Sequence, residues 1–505
     1  MARDTALNGA RRARELAEVT DGRSIDLLVI GLGATGAGVA LDAASRGLSV
    51  VAIDAHDLAF GTSRWSSKLA HGGLRYLAHG QIGIAHESAA ERGILLRRTA
   101  PHLVRPSRWL VPLTPDISRR SAAIIGAGFA AGDVLRRVVR TPSALLPRPG
   151  RVGAAQARAL APALRHDIRG GITAWDARIE DDARLVVALA RTAAGEGARV
   201  LTRVRALEVT GDGARVRDEL AGTTHDIKAR AVVNAAGVWA AGLVPDVALR
   251  PSRGTHLVLR TDTLGGSGVI VNAPVPGSIG RFVFSLPQPD GRTYLGLTDE
   301  AADGPVPDVP VATDGEIDFL LDTFSRVLER PLTRADVVGT YAGLRPLLDA
   351  GGSTADISRR HAVLTSPDGV VTVIGGKLTT YRRMAEDAVD AVVRERGLTA
   401  APCRTHDLPL VGAAAPAVLA RVAAPDRLVH KYGTEAPALT ADADLLTPVG
   451  EDQLVTRAEL VFGVTHEGAL DVDDLLDRRT RIGLVATDRA AVLPAATEAL
   501  DSYGS

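Results

Sequence analysis

The chain has 505 residues, too many for one ordinary hydrophobic core, so two or three domains are expected. Lys+Arg and Asp+Glu balance at 59 each, which removes any global electrostatic argument for nucleic-acid binding. One cysteine, Cys403, excludes an intramolecular disulfide or a thiolate metal cluster.

The N-terminus carries Arg3, Arg11, Arg12 and Arg14 without the apolar stretch of a signal peptide. No apolar run approaches the roughly 18 residues that would predict a spanning helix, so a cytoplasmic chain is the default. Ile25 to Ile30 then reads as a strand. It leads into Gly31-Leu32-Gly33-Ala34-Thr35-Gly36 and an Ala-rich helical stretch reaching Arg46, and Leu48 to Ile53 reads as a second strand ending at Asp54. In such a βαβ unit Gly31 permits the tight turn, Gly33 lets backbone approach a pyrophosphate, and Gly36 lets the helix pack closely on its strand. The helix N-terminus, with Ala34 and Thr35, faces the phosphates. Asp54 lies 18 residues beyond Gly36, close to the roughly 20 expected of a ribose-binding acid, and favours an unphosphorylated ribose as in NAD or FAD.

The next block, Gly61-Thr62-Ser63-Arg64-Trp65-Ser66-Ser67-Lys68-Leu69-Ala70-His71-Gly72-Gly73-Leu74-Arg75-Tyr76-Leu77, is too polar and Gly-rich for a core strand and reads as a structured loop. Here the chain resembles the FAD-dependent glycerol-3-phosphate dehydrogenases. The resemblance continues through Asn234 to Trp239, Gly254-Thr255-His256, Gly296 to Asp299, Ala342 to Leu347 and Gly375 to Arg382, covering nearly the full chain. It implies an α/β fold: a two-dinucleotide-type FAD-binding Rossmann domain interleaved with a mixed or antiparallel β-sheet substrate domain, plus a C-terminal α-helical cap. The oxidoreductase region is expected over residues 1–400. Its FAD segments fall at about 24–80, 170–245 and 340–396, its substrate segments at about 81–169 and 246–339, and the cap over 401–505.

The stretch from Ile117 to Arg140 has a small-residue apolar middle with arginines at its ends. A buried helix of the substrate-side domain is the favoured reading; the other is a surface helix resting weakly on anionic lipid. The resemblance strengthens the second, because these dehydrogenases commonly sit on the cytoplasmic membrane face and pass electrons to quinone. Ala198 to Val209 reads as a strand leading to an Asp212-Gly213 turn, and Ala229 to Asn234 as a strand returning to the first sheet. Strands near Thr255–Leu259, Gly268–Val271, Phe282–Ser285 and Thr293–Leu297, with a helix near Glu316 to Leu328, form the substrate-side wall. Val371 to Ile374 is a buried-type strand, and a helix runs from Thr380 to Arg396 with its N-terminus towards the reduced flavin's pyrimidine end. After a Pro- and Ala-rich connection, helices are expected near Ala417–Tyr432, Gln453–Thr465 and Val472–Ile482, with a last one from Asp488; the arginines of Asp474 to Arg481 are read as structural or surface residues.

Oxidising a secondary alcohol requires hydride departure to flavin N5 and a base near the hydroxyl. A histidine on a strand is by itself more often structural; the resemblance makes His256 the base and Arg345 the partner of the developing alkoxide. It implies Arg75, Tyr76, Arg359 and Lys377 as phosphate-side donors, suited to a dianion by fork or point charge. In Ser358-Arg359-Arg360-His361 the family pattern is broken, so Arg360 is the alternative to Arg359. Cofactor contacts are implied for Gly31, Gly33, Ala34, Thr35, Gly36, Asp54, Thr62, Ser63, Ser67, Lys68, Leu69, His71, Gly72, Gly73, Val204, Ala236, Gly237, Gly376, Lys377, Leu378, Thr379 and Thr380. Val238 and Leu297 replace the family's Pro and Thr, with no change of chemistry expected. The expected reaction converts sn-glycerol 3-phosphate to dihydroxyacetone phosphate, with a quinone or other acceptor. An oxidase of the same fold, an amino-acid oxidase and a flavin-binding protein without turnover stay open. Sequence does not set the oligomeric state; a homodimer is admitted.

Overall fold

A computed structural model describes residues 4–73, 76, 80–278, 280–349, 361–451 and 453–504. The strand Leu27–Ile30 is buried on both faces. Val50–Ile53 and Val232–Asn234 flank it in parallel, Arg199–Leu201 and Val371–Ile374 extend the sheet in parallel, and Ala362–Thr365 closes one edge antiparallel. Continuous apolar runs suit strands covered on both sides. Leu27 and Val29 face a core shared with helices Ala34–Ser45, Asp182–Gly195 and Tyr381–Arg396. Leu28 and Ile30 face the three-stranded antiparallel sheet of Val204–Thr210, Gly213–Asp218 and Thr224–Lys228 together with the short helix Ala240–Leu243.

A second, ten-stranded mixed sheet makes the other wall. Ser252–Arg260 lies between Arg292–Gly296 and Val337–Arg345, antiparallel to both, so His256 stands opposite Gly296 on one side and Tyr341 on the other. Phe282–Pro287, Ile270–Pro274, Val104–Pro112 and Gly171–Ile179 continue the sheet to the two-residue strand Leu69–Ala70. Gly171–Ile179 and Val337–Arg345, at the start of two expected FAD-side segments, are thus strands of the substrate-side sheet. The helix Asp314–Ser325 packs on this sheet through Leu320, Leu321 and Phe324, and its N-terminus carries a reciprocal Thr313–Glu316 capping box.

Three expectations are corrected. Ala198 to Val209 is two strands, because Arg203 adopts a left-handed conformation (φ 57) and turns the chain from the first sheet into the second layer. The helix Arg119–Val138 is not buried: only Ala122, Asp133, Leu135 and Arg136 are, while Ile124, Val134 and Val138 are 39%, 56% and 60% exposed. Its small-residue middle offers too little apolar area to drive burial. The expected helix from Ala417 to Tyr432 is split into Pro416–Leu419 and Asp426–Tyr432, with Pro425 at the second N-cap ending the first pattern. The remaining C-terminal elements are Arg457–His466, a π-helical turn Asp474–Arg479, and Ala486–Tyr503, packed around Leu460, Val464, Leu475, Leu476 and Val492.

Candidate active site

The two sheets enclose a cavity of about 1260 Å³ into which the C-terminal ends of the parallel strands open. Gly31 has φ +102, and a Cβ there would press 2.6 Å from the Ala235 carbonyl oxygen; a Cβ on Gly36 would overlap the Gly31 carbonyl. Only glycine allows this crossing of turn, helix and returning strand. The first turn of the helix is tied to the following loop by Ala34 N–H donating to Ser63 Oγ at 2.9 Å. Asp54 accepts from the N–H groups of Leu32 (2.7 Å) and His56 (2.8 Å). Burial pushes its carboxyl up to about 6, against the pull of those two donors.

Gly31, Gly33, Ala34, Thr35, Asp54, Thr62, Ser63, Ser67, Leu69, His71, Val204, Ala236, Gly237, Gly376, Lys377, Leu378 and Thr379 all line this one cavity. Gly36, Gly72, Gly73 and Thr380 do not line it; Gly36 makes the close packing just described. Lys68 departs from its expected place among the cofactor contacts. Its ammonium is buried away from the cavity, donating to Asp182 Oδ2 at 3.0 Å and to the carbonyls of Arg64 and Ser66, because Asp182 begins a helix directly behind the loop.

His256 is 2% exposed and lines the cavity. Its Nε2 is 3.0 Å from Ser67 Oγ, whereas Nδ1 is buried with no partner among the described residues. Its ring stacks on Tyr341 with centroids 4.6 Å apart. Burial, then the positive charges of Lys68 and Arg345, hold the imidazole well below the ordinary histidine value, so it is neutral at neutral pH. Arg345, on the strand beside it, donates to Asp299 Oδ1 at 3.2 Å and to the Thr298 carbonyl at 3.3 Å and reaches the same cavity. At another part of the wall Lys377 Nζ donates to Ser88 Oγ at 2.6 Å and lies 3.7 Å over the Tyr76 ring. Arg75, Arg359 and its alternative Arg360 lie outside the described residues.

Several lining groups carried no signal in the sequence. Asp176, on the Gly171–Ile179 strand, accepts from Gly72 N–H and from Arg92, and Trp109, Asn272 and Phe284 add an aromatic and amide wall. None stands in a motif, and only the pairing of distant strands brings them to the site.

A parallel sheet with a glycine turn and an acid at the end of its second strand, closed by a mixed sheet bearing a neutral histidine and an arginine, defines a dinucleotide-fold oxidoreductase. Residues 26–382 match the family described as FAD dependent oxidoreductase, and residues 403–503 the C-terminal domain of alpha-glycerophosphate oxidase. The chain is 52% identical to glycerol-3-phosphate dehydrogenase 1 of Mycobacterium tuberculosis, with 99% of each chain covered. It is 33% identical to the aerobic glycerol-3-phosphate dehydrogenase of Escherichia coli over 91% of this chain and 94% of that one. The Bacillus halodurans glycerol-3-phosphate dehydrogenase complexed with FAD superposes with a TM-score of 0.73 at 27% identity, covering 100% of this chain and 94% of that one. The chain belongs to the FAD-dependent glycerol-3-phosphate dehydrogenase family, and FAD is its cofactor. The glycine turn, Asp54 and the cavity of about 1260 Å³ fit that group.

Proposed function

We infer that the protein oxidises sn-glycerol 3-phosphate to dihydroxyacetone phosphate. The observation that carries this reading is the meeting of a neutral buried His256, Arg345 and Lys377 in the cavity that holds the dinucleotide loop. Lys377 and the Tyr76 hydroxyl, with Arg75 and Arg359 or Arg360, take the phosphate dianion. A single carboxylate, as in an amino acid, needs fewer such donors. His256 takes the hydroxyl proton. Arg345, held by Asp299, stabilises the oxygen as it gains charge. Bound FAD supplies the acceptor for the carbinol hydride.

Anaerobic absorbance of the FAD-loaded protein, titrated separately with sn-glycerol 3-phosphate, glycerol and a D-amino acid, tests the substrate. Bleaching by glycerol 3-phosphate alone supports the reading; bleaching by the amino acid, or none despite bound FAD, sinks it. His256→Ala is expected to lower the bleaching rate by about 10²- to 10⁴-fold with substrate binding retained.

We further propose a quinone as electron acceptor and a weak peripheral membrane contact through the helix Arg119–Val138. No helix among the described residues is long and apolar enough to cross a membrane. Support comes from the surface position of this helix, its exposed Ile124, Val134 and Val138, and the arginines at its ends. Ile124, Ile125 and Phe129 also line the cavity, which links the helix to the site. Co-sedimentation with phosphatidylglycerol vesicles but not phosphatidylcholine vesicles is the expected result; binding to neither removes the proposed contact.

A further inference from the structure

Lys68 and Asp182 are buried, and neither lines the cavity, yet they touch the loop and the aromatic ring that contact His256. One carboxylate oxygen of Asp182 accepts from Lys68 Nζ at 3.0 Å and from the Ser66 N–H at 2.9 Å. The ammonium also donates to the Arg64 and Ser66 carbonyls, and the Lys68 N–H donates to Ser66 Oγ, so the turn from Arg64 to Lys68 is laced to one ion pair. Lys68 itself has φ +52, a conformation that a lysine holds only where its surroundings over-determine it. Between the two ends of this lacing stands Ser67, whose Oγ meets His256 Nε2. The same ammonium lies 4.6 Å from the ring centroid of Tyr341, the ring on which His256 stacks, and Tyr341 reaches back to the Ser66 carbonyl.

We propose that the Lys68–Asp182 ion pair is a positioning device for His256: it holds the Ser66–Lys68 turn so that Ser67 Oγ and the Tyr341 ring fix the imidazole. The proposal rests on the reading of His256 as the base. The charged and titratable groups around the ring are Lys68 from the loop and Tyr341 and Arg345 from the adjacent strand. Behind Tyr341 stand Tyr294, Asp182, Arg481 and Asp181. A fixed cation on the far side of the aromatic stack opposes the imidazolium. Burial first, and then this cation and Arg345, keep the base unprotonated to lower pH than an ordinary histidine would be, and it is lost only as the pH falls through that lower value.

The test uses the full-length, FAD-loaded enzyme. Lys68→Met is expected to slow the limiting rate of anaerobic flavin bleaching by sn-glycerol 3-phosphate by about 10²-fold, the effect of a small misplacement at a reacting group. FAD content should stay that of the parent. The acid limb of the pH–rate profile should move to higher pH, and the ¹³C resonance of the His256 ring, assigned by its loss in His256→Ala, should titrate at higher pH as well. Lys68→Arg keeps the charge and can reach Asp182, and it should restore the acid limb. Should Lys68→Met leave too much buried charge to fold, Lys68→Met combined with Asp182→Asn removes the orphaned carboxylate and should show the same loss of rate, with an acid-limb shift in the same direction but smaller, since the pair removed is net neutral. A parental rate, or a slowed rate with an unmoved acid limb and unmoved ring titration, overturns the proposal. Failure of the base reading looks different: His256→Ala would then bleach at close to the parental rate.

Discussion

Arg479 places two guanidinium nitrogens 2.8 and 2.9 Å from the carboxylate of Asp57, which accepts from Arg478 as well, and all three side chains are buried. Asp57 stands three residues after Asp54, so the C-terminal unit is fastened directly to the loop that follows Asp54. Burial works against ionisation of Asp57, but Arg479 and Arg478 hold its carboxyl well below the usual range.

Arg479→Met should therefore cost about 3–5 kcal/mol, because it leaves part of a buried carboxylate without its partner. Calorimetry should show a lower melting temperature, and gel filtration a lower fraction of protein retaining FAD. Since the Asp57 pKa is depressed in the folded state, the pair's contribution is full above the unfolded carboxyl value of about 3.9 and fades only as the pH falls below it. A parental melting temperature at pH 7 would contradict this account.

With Asp54 as the proposed acceptor for the ribose of FAD, its raised carboxyl gives FAD binding an expected pH dependence. Sugar hydroxyls donate best to the ionised acid, so apoprotein affinity for FAD should strengthen as pH rises through about 6 and weaken below it. Fluorescence titration between pH 5 and 8 measures this. In Asp54→Asn the dependence should flatten, at weaker affinity throughout; an unchanged slope would assign the effect to another group.

Gly296 faces His256 across two antiparallel strands, and a Cβ there would overlap the imidazole, Cδ2 first. The ring must shift, since the strand backbone is held on both sides. Gly296→Ala is expected to lower the flavin-bleaching rate by about 10²-fold with FAD content unchanged. Stopped-flow absorbance with sn-glycerol 3-phosphate decides it, and a parental rate would show that the ring position is not critical.

Lys377→Met removes a cation from the proposed phosphate side but not from the base. KM for sn-glycerol 3-phosphate should rise by about 10- to 100-fold, the range for one charge-assisted contact of about 1.5–3 kcal/mol, with kcat changed less. A fall in kcat at unchanged KM would move Lys377 from phosphate binding to chemistry.

The dinucleotide loop was legible because its causes are local. Gly31, Gly33 and Gly36 follow a strand within six residues, and Asp54 ends the next strand, so spacing alone carries the geometry. His256, Arg345 and Lys377 were singled out only through family resemblance, since a histidine on a strand has no local signature; the ring is kept neutral by its burial and by the charges of Lys68 and Arg345, and stacked by Tyr341 on a neighbouring strand. Lys68 shows the limit of that resemblance, for it sits inside a recognised block and yet faces Asp182, 114 positions away.

What the amino-acid sequence determined by itself was the cofactor half: an apolar strand, a glycine turn, a helix and an acid, each set by the conformational demands of a few adjacent residues. The tertiary structure alone decided how His256 is held, how the C-terminal arginines are spent and that the Arg119–Val138 helix lies on the surface. Those outcomes depend on which distant groups meet in a place without water. There a charge must find its partner, and that partner is Asp182 for Lys68 and Asp57, 422 positions away, for Arg479.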